Sequence, residues 1–277
     1  MLNNKTMRKV LPLTFAIGMV FTNSAHAGLV DVTVSIENLA QQDGVSFAPL
    51  RLGFHNGSYD AFDINTTPTS AIVSIAEGGS GSDWFPAFAA ADPTAVLGTV
   101  VNGGPAVPQA NAGVNNSFSS EASNTFRVDT AVNQFFTFAN MVVPSNDLFL
   151  GNDNPIRLFD DDGNLIVTNI FQTGASIWDA NSEVANADNG AFIVGGNNAT
   201  RIAENGIVAF DFSELSVFDG LTTAAGYNFD FSTITSDSEI YRITFSVEQV
   251  AVSAPSMLAL FSLGFIGIRY RQYKNRA

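Results

Sequence analysis

The chain has 277 residues, with 26 acidic residues, 12 basic residues, no cysteine and a formal net charge of −14. The absence of cysteine excludes disulfides, thiolate metal sites and a cysteine nucleophile. All 26 acidic residues, but only five arginines, lie between residues 28 and 253, which gives that span a formal charge of −21. Such a field repels phosphate backbones, so we predict that the protein binds no nucleic acid.

The N-terminal residues have the pattern of an export signal. Lys5, Arg8 and Lys9 precede an uncharged, mostly apolar stretch from 10 to 22, and Ala25-His26-Ala27 follows it. A basic flank, an apolar run too short to span a bilayer and small residues before a cleavage point are typical of a secretory signal peptide. We therefore predict a signal peptide over residues 1–27 and an exported, cell-surface or extracellular protein; the alternative is a buried N-terminal helix.

The central part of the chain is rich in strand patterns. Apolar and polar residues alternate in 30–37 and again in 242–248, and this period of two predicts a half-buried strand at each end of the domain. Further strands are predicted over 50–54, 125–128, 135–143, 156–159, 165–170 and 227–231. Helical signals are short and cover 69–77, capped by Thr69, and 83–91, with an apolar Trp84, Phe85 and Phe88 face.

These elements favour an all-β fold, an antiparallel β-sandwich with a few short helices, formed by one domain over residues 28–253. The Gly-, Asn- and Pro-rich stretch 102–116 indicates one long surface loop. In 160–164, Asp160, Asp162 and Asn164 alternate as in a calcium loop, but Leu165 and Phe171 occupy the glycine and glutamate positions of an EF-hand. A hairpin turn closed by Asp-Gly is the preferred interpretation, with a metal site as the alternative.

The C-terminal residues 254–277 form a separate module. Pro255 precedes a mostly apolar stretch at 257–268, and a basic run follows it. This layout resembles the PEP-CTERM sorting signal that exosortases process, although Ala254 replaces the usual glutamate before the proline. The resemblance implies an exosortase-type processing partner and membrane contact through the tail alone; a simple membrane anchor is the alternative.

Few catalytic arrangements are compatible with the composition. His55 is the only histidine after residue 27, so a site that needs two imidazoles is excluded, and no serine lies in a G-x-S-x-G elbow. Walker and dinucleotide-binding motifs are absent from the sequence. A pair of carboxylates for glycoside hydrolysis remains possible among the 26 acidic residues.

Two segments, 141–151 (MVVPSNDLFLG) and 178–183 (WDANSE), resemble the signature stretches of the spondin N-terminal domain family, known from matrix proteins. Supporting matches are 32–39, Ala48-Pro49, His55 and 75–79, in the expected order. The resemblance implies an eight-stranded, C2-like antiparallel β-sandwich that binds Ca²⁺ at loops on one end.

Carried over to this sequence, the resemblance gives Asp147, Asp179 and Glu183 as calcium ligands; the alternative is that these acids cap turns. Asn181 replaces the glycine of the family motif, a change that the backbone tolerance of asparagine accommodates. The expected function is non-enzymatic binding or adhesion to extracellular matrix, biofilm or exopolysaccharide components. An exopolysaccharide hydrolase or lyase and a structural surface-layer component are the two alternatives.

Overall fold

The computed structural model describes residues 28–250. The signal peptide predicted over 1–27 and the sorting tail predicted over 254–277 both lie outside the described residues. Among residues 28–250, no helix has the length and apolar character needed to cross a membrane.

Two antiparallel sheets form the framework, as the strand patterns predict. The strands are β1 (Leu29–Asn38), β2 (Ser46–Phe47), β3 (Leu50–His55), β4 (Val96–Val100), β5 (Glu121–Asp129), β6 (Phe135–Val143), β7 (Leu148–Gly151), β8 (Ile156–Arg157), β9 (Asn169–Thr173), β10 (Trp178–Asp179), β11 (Ala209–Phe210) and β12 (Glu239–Gln249). The helices are α1 (Ser70–Ala76) and α2 (Trp84–Ala91), and short 3-10 helices cover Gln109–Asn111, Gly174–Ser176, Ala187–Asn189, Ser213–Phe218 and Phe231–Thr233.

The smaller sheet has four strands in the order β5-β1-β12-β9. Strand β1 buries every second residue, and its partners follow the same register, with Val34 opposite Asn124 of β5 and Phe245 of β12. The first and last strands of the domain are therefore neighbours. Their polar residues form the outer face of this sheet.

The larger sheet has eight strands, with a path β11-β10-β7-β6-β3-β4 and with β2 and β8 paired to β6. Strand β6 is buried along eight of its nine residues. Its near-continuous apolar sequence reflects burial on both faces, since a strand with one solvated face would alternate instead.

The hydrophobic core fills the space between the sheets, so the all-β sandwich predicted from the sequence is confirmed. Val32 and Val34 of the smaller sheet pack in one cluster with Leu52, Phe54 and Phe138 of the larger sheet. A second cluster on the opposite face of the larger sheet includes α1, α2 and the aromatic rings of Tyr59, Trp84, Phe149 and Trp178. The molecule is thus a sandwich with one additional helical layer.

Both predicted helices are present for the predicted reasons. The Thr69 hydroxyl accepts a hydrogen bond from the Ile72 N–H at 3.2 Å and caps α1. Helix α1 ends before Gly79, whose φ of +59° suits glycine and whose N–H donates to the Ile75 carbonyl. In α2, Trp84 and Phe88 are buried, as the apolar face predicts, and Phe85 is half-buried.

Of three further predictions for loops and strands, one is confirmed, one is wrong and one is correct only in part. The hairpin turn at 160–164 is confirmed, because Phe159 bridges to Leu165 and Gly163 has a φ of +81°. The strand predicted over 227–231 is wrong: the segment bonds mainly to the nearby residues 220–223, with one bond from the Asp230 N–H to the Asp43 carbonyl, and then enters the 3-10 helix Phe231–Thr233. The loop predicted over 102–116 is partly buried, since Ala106 bridges to Phe47 of β2.

Candidate functional site

Two acidic residues meet at one end of the larger sheet because their strands are antiparallel neighbours. Asp147 immediately precedes β7, and Asp179 is the last residue of β10. Since Asp179 pairs with Leu148, the register brings Asp179 beside the residue that follows Asp147. Both side chains are buried, with exposures of 0% for Asp147 and 3% for Asp179.

The chain turns sharply after β10, and this turn is directed at Asp147. Asn181 has a φ of +50°, and its N–H donates to Asp179 Oδ1 at 2.7 Å. The backbone N–H groups of Ser182 and Glu183 then donate to Asp147 Oδ2 at 2.6 and 2.9 Å. The left-handed residue thus aims two backbone donors at one carboxylate oxygen.

The other oxygen of this carboxylate has no such donor. Asp147 Oδ1 is buried and makes no hydrogen bond to any described residue. A buried carboxylate oxygen without a donor is costly, because burial removes its water and nothing replaces it. This oxygen is therefore the strongest indication of an additional ligand at the site.

A third carboxylate completes the cluster. Glu214 lies in the 3-10 helix Ser213–Phe218, which is anchored by the buried side chains of Leu215 and Phe218. One carboxylate oxygen each from Asp147, Asp179 and Glu214 lies within 4.8 Å of the others. We call these three residues the carboxylate cluster.

The cluster is electrostatically unfavourable when it is empty and fully ionised. Burial, followed by the charge of Asp147, raises the pKa of Asp179 to about 8 and that of Glu214 to about 7. Burial also raises the pKa of Asp147, despite its hydrogen bonds. None of the three is among the ion pairs formed by the arginines within 28–250. Protons or a cation must therefore offset the negative charge.

Glu183, the third ligand predicted from the sequence, is not a member of this cluster. Its Oε1 accepts a hydrogen bond from the Asn146 amide at 3.3 Å, and its Oε2 lies 3.7 Å from Arg201 Nε. Arg201 also pairs with Glu77 at the C-terminal end of α1. The carboxylate of Glu183 thus has one amide hydrogen bond and a guanidinium nearby, but its buried Oε2 accepts no hydrogen bond, and burial raises its pKa to about 7. Its backbone N–H serves the site through Asp147.

Two of the three members of the carboxylate cluster, Asp147 and Asp179, were predicted from the sequence, and Glu214 was not. Residues 211–214 (DFSE) have the acid-x-x-acid spacing that is common at helix starts, and the Asp211 carboxylate does accept the Ser213 N–H at 2.7 Å. That pattern indicates a short helix and carries no metal signature. Glu214 reaches the cluster only in the folded chain, where β11, which precedes it, pairs with β10.

The donor set is suited to a hard cation. Three carboxylates supply oxygen alone, and the only histidine among residues 28–250, His55, belongs to β3 and bonds there to Thr137. Calcium and magnesium prefer oxygen ligands, whereas zinc prefers imidazole and thiolate. The buried Oδ1 of Asp147 and the all-oxygen donors together fit a divalent cation of the calcium type.

No protein-family model matches the chain, and the search of curated proteins finds no match to it.

Proposed function

We propose that the protein is an exported, calcium-binding β-sandwich module of the spondin type that acts by binding or adhesion at the cell surface, in the extracellular matrix or in a biofilm, and not as an enzyme. The observation that carries the calcium proposal is the carboxylate cluster, in which two of the three acids are buried, with the unpartnered Oδ1 of Asp147. Export and sorting rest on the sequence patterns at 1–27 and 254–277.

A cation resolves the electrostatic conflict in the cluster. Like charges at these separations in a poorly solvated site favour protonation of at least one carboxylate, and bound Ca²⁺ removes that need. Asp147, Asp179 and Glu214 would hold the ion, with Glu214 in place of Glu183. Calcium takes six to eight oxygens, so backbone carbonyls or waters must complete its shell.

The ion would have a structural role. The three ligands come from the start of β7, the end of β10 and the 3-10 helix Ser213–Phe218. These segments are far apart in sequence, and the chain has no disulfide to join them. Calcium would therefore fix the loops at this end of the sandwich, which supports a rigid binding surface in a calcium-containing medium.

The decisive experiment measures the melting temperature of the full chain in EDTA and in millimolar calcium. Binding to the folded state alone stabilises it by mass action, so calcium should raise the melting temperature. Asp179→Asn and Glu214→Gln should each remove most of that rise. Magnesium should produce a smaller rise, because it demands a tighter octahedral shell than three carboxylates from separate segments supply.

Two variants serve as matched controls. Glu183→Gln removes the charge of the sequence-predicted ligand, and Asp161→Asn removes a carboxylate from the exposed hairpin turn; both should retain the calcium-induced rise. If calcium raises the melting temperatures of Asp179→Asn and Glu214→Gln as much as that of the parent, the ion binds elsewhere. Loss of the response in Glu183→Gln together with its retention in Glu214→Gln would restore the ligand set predicted from the sequence.

A further inference from the structure

A polar cavity lies on the outer face of the smaller sheet, away from the residues of the carboxylate cluster. It has a volume of about 620 Å³ and is bordered by β1, β5 and β12 together with the segment that follows β4. This volume is in the range of small-molecule sites, which span about 300 to 1,000 Å³. The cavity is therefore large enough for a ligand of several rings.

The strand register explains the chemistry of its floor. Ser35 of β1 lies opposite Ser123 of β5 and Thr244 of β12, so one row across the sheet carries three hydroxyls. The next row places Glu37 opposite Glu121 and Arg242. Residues directly opposite each other share a face, and all six line the cavity.

One wall adds an amide, because Asn102 lines the cavity from the segment after β4. Phe171 of β9 does not line the cavity, but it lies opposite Arg242 in the register. Phe171 is 46% exposed, and the Arg242 guanidinium lies 6.0 Å from its ring centroid. The cavity thus supplies hydroxyl, amide, carboxylate and guanidinium groups as donors and acceptors, and an exposed ring lies next to it beyond Arg242.

We propose that this cavity binds an oligosaccharide that carries no acidic groups. A sugar presents hydroxyls that both donate and accept, which the polar lining matches, and its ring carbons form an apolar face that can extend onto the neighbouring Phe171 ring. Glu37 and Glu121 outnumber Arg242, which is already paired with Glu37. This local charge, within a domain of strongly negative charge, repels uronic acids and admits neutral or amino sugars.

The proposal deepens the binding role proposed above but does not depend on the calcium site. The two sites share no residue, and they belong to different sheets. Asp179→Asn should therefore bind a saccharide as the parent does, and a variant that blocks the cavity should retain the calcium-induced rise in melting temperature. Failure of one proposal is thus distinguishable from failure of the other.

The test is isothermal titration calorimetry of the full chain with three trisaccharides: cellotriose, the glucosamine trimer and trigalacturonate. Cellotriose and the glucosamine trimer should bind, and trigalacturonate should bind at least about tenfold more weakly, a difference of about 1.4 kcal/mol. The absence of binding by all three probes, or a preference for trigalacturonate, would overturn the proposal.

Two substitutions on the edge strand β5 locate the binding. Ser123→Trp fills the cavity and should weaken binding by about tenfold or more, whereas Thr125→Trp, on the same face of β5 but not among the cavity residues, should leave it unchanged. Glu121→Lys reverses a charge in the cavity and should improve trigalacturonate binding relative to cellotriose. Equal binding by both tryptophan variants would place the saccharide elsewhere.

Chromatography of the same trisaccharides after incubation with the protein distinguishes binding from hydrolysis. Glu37 and Glu121 are cross-strand partners in a cavity, an arrangement that brings two carboxylates near one ligand. Their role here is to bind, so chromatography should recover the trisaccharides intact after prolonged incubation. Cleavage that is lost in Glu121→Gln would overturn this non-catalytic assignment and favour a glycoside hydrolase.

Discussion

His55 is a buried histidine whose protonation state follows from its contacts. Nδ1 accepts the Gly57 N–H at 3.2 Å, so Nε2 carries the proton and donates to the Thr137 hydroxyl at 3.0 Å. Burial lowers the pKa of the imidazole to about 4, an effect that the charge of Asp92 partly offsets. His55 therefore has a structural role in β3, in agreement with the absence of a catalytic motif around it.

The neutral state of His55 is directly measurable. Its ¹⁵N imidazole signals in NMR, assigned by their absence in His55→Gln, should show the Nε2–H tautomer at neutral pH. They should change only as the pH falls toward about 4, since the folded state excludes the charged ring. An exposed histidine would titrate near its ordinary value of about 6.5. A midpoint there would contradict the burial described for His55.

Individual side chains whose role is encoded locally could be predicted from the sequence, whereas those that depend on long-range packing could not. The left-handed turn at Asn181 follows from the tolerance of asparagine for positive φ, and the structure confirms that conformation. Glu214 could not be predicted in this way, because it is far from Asp179 in sequence and only folding brings the two carboxylates together. One acid among 26 carries no local mark of such a contact.

At the scale of elements, one close approach couples the two sheets. Gly98 of β4 belongs to the larger sheet, and Phe126 of β5 belongs to the smaller one. A Cβ placed on Gly98 would lie 2.1 Å from Cε1 of the Phe126 ring. That ring is buried and packs against Phe54 with centroids 5.8 Å apart, so it has little room to move. The absence of a side chain at Gly98 is what permits β4 and β5 to approach.

Gly98→Ala should therefore destabilise the protein by about 1 to 3 kcal/mol, the usual cost of overpacking a filled interior. Urea unfolding of the full chain measures this change. Gly78→Ala is the matched control, since its Cβ would meet its nearest neighbour at an ordinary 3.6 Å and Gly78 is exposed. The control should change stability by no more than about 0.5 kcal/mol. Equal effects of the two substitutions would contradict the contact with Phe126.

The elements that the sequence predicted well are those with a long pattern or a cap. Strand β1 alternates over its whole length, and α1 begins at a threonine cap with buried residues on one face. The two-residue strands β10 and β11 are too short to show a periodicity. Pairing defines them, of β10 with β7 and of β11 with β10, and local preference does not. The apolar residues Tyr227 and Phe229, which suggested a strand over 227–231, are indeed buried, but the segment that carries them forms no strand.

For the whole molecule, the dominant feature is an excess of acidic groups that few arginines offset. Four arginines form ion pairs with acidic residues: Arg127 with Asp31, Arg157 with Asp161, Arg201 with Glu77, and Arg242 with Glu37. Most of these pairs are exposed at the surface and contribute little to stability. In the carboxylate cluster, Asp147 and Asp179 are buried, Glu214 is half-buried, and none has such a pair, so the effect of pH on stability should depend strongly on them.

The sign of that dependence follows from proton binding. In the unfolded chain, Asp179 and Glu214 lose their protons near their ordinary pKa values, whereas the folded pKa values are about 8 and about 7. Between these limits the folded state binds more protons than the unfolded state, so its stability falls as pH rises. The loss is complete only above the folded pKa of Asp179.

Calcium should therefore stabilise the protein most at high pH, where it does not compete with protons for the carboxylates. In EDTA, the melting temperature should fall between about pH 6.5 and about pH 8.5, and calcium should restore it. This window lies above the range between the folded and unfolded pKa values of His55, about 4 and about 6.5, in which that residue changes the stability. In the double variant Asp179→Asn/Glu214→Gln, the melting temperature in EDTA should fall less over this pH range. Calcium should have no effect on it at either end of the range. Asp161→Asn controls for the removal of surface charge and should follow the parent. A calcium effect that is independent of pH in the parent would mean that the ion does not displace protons from this cluster.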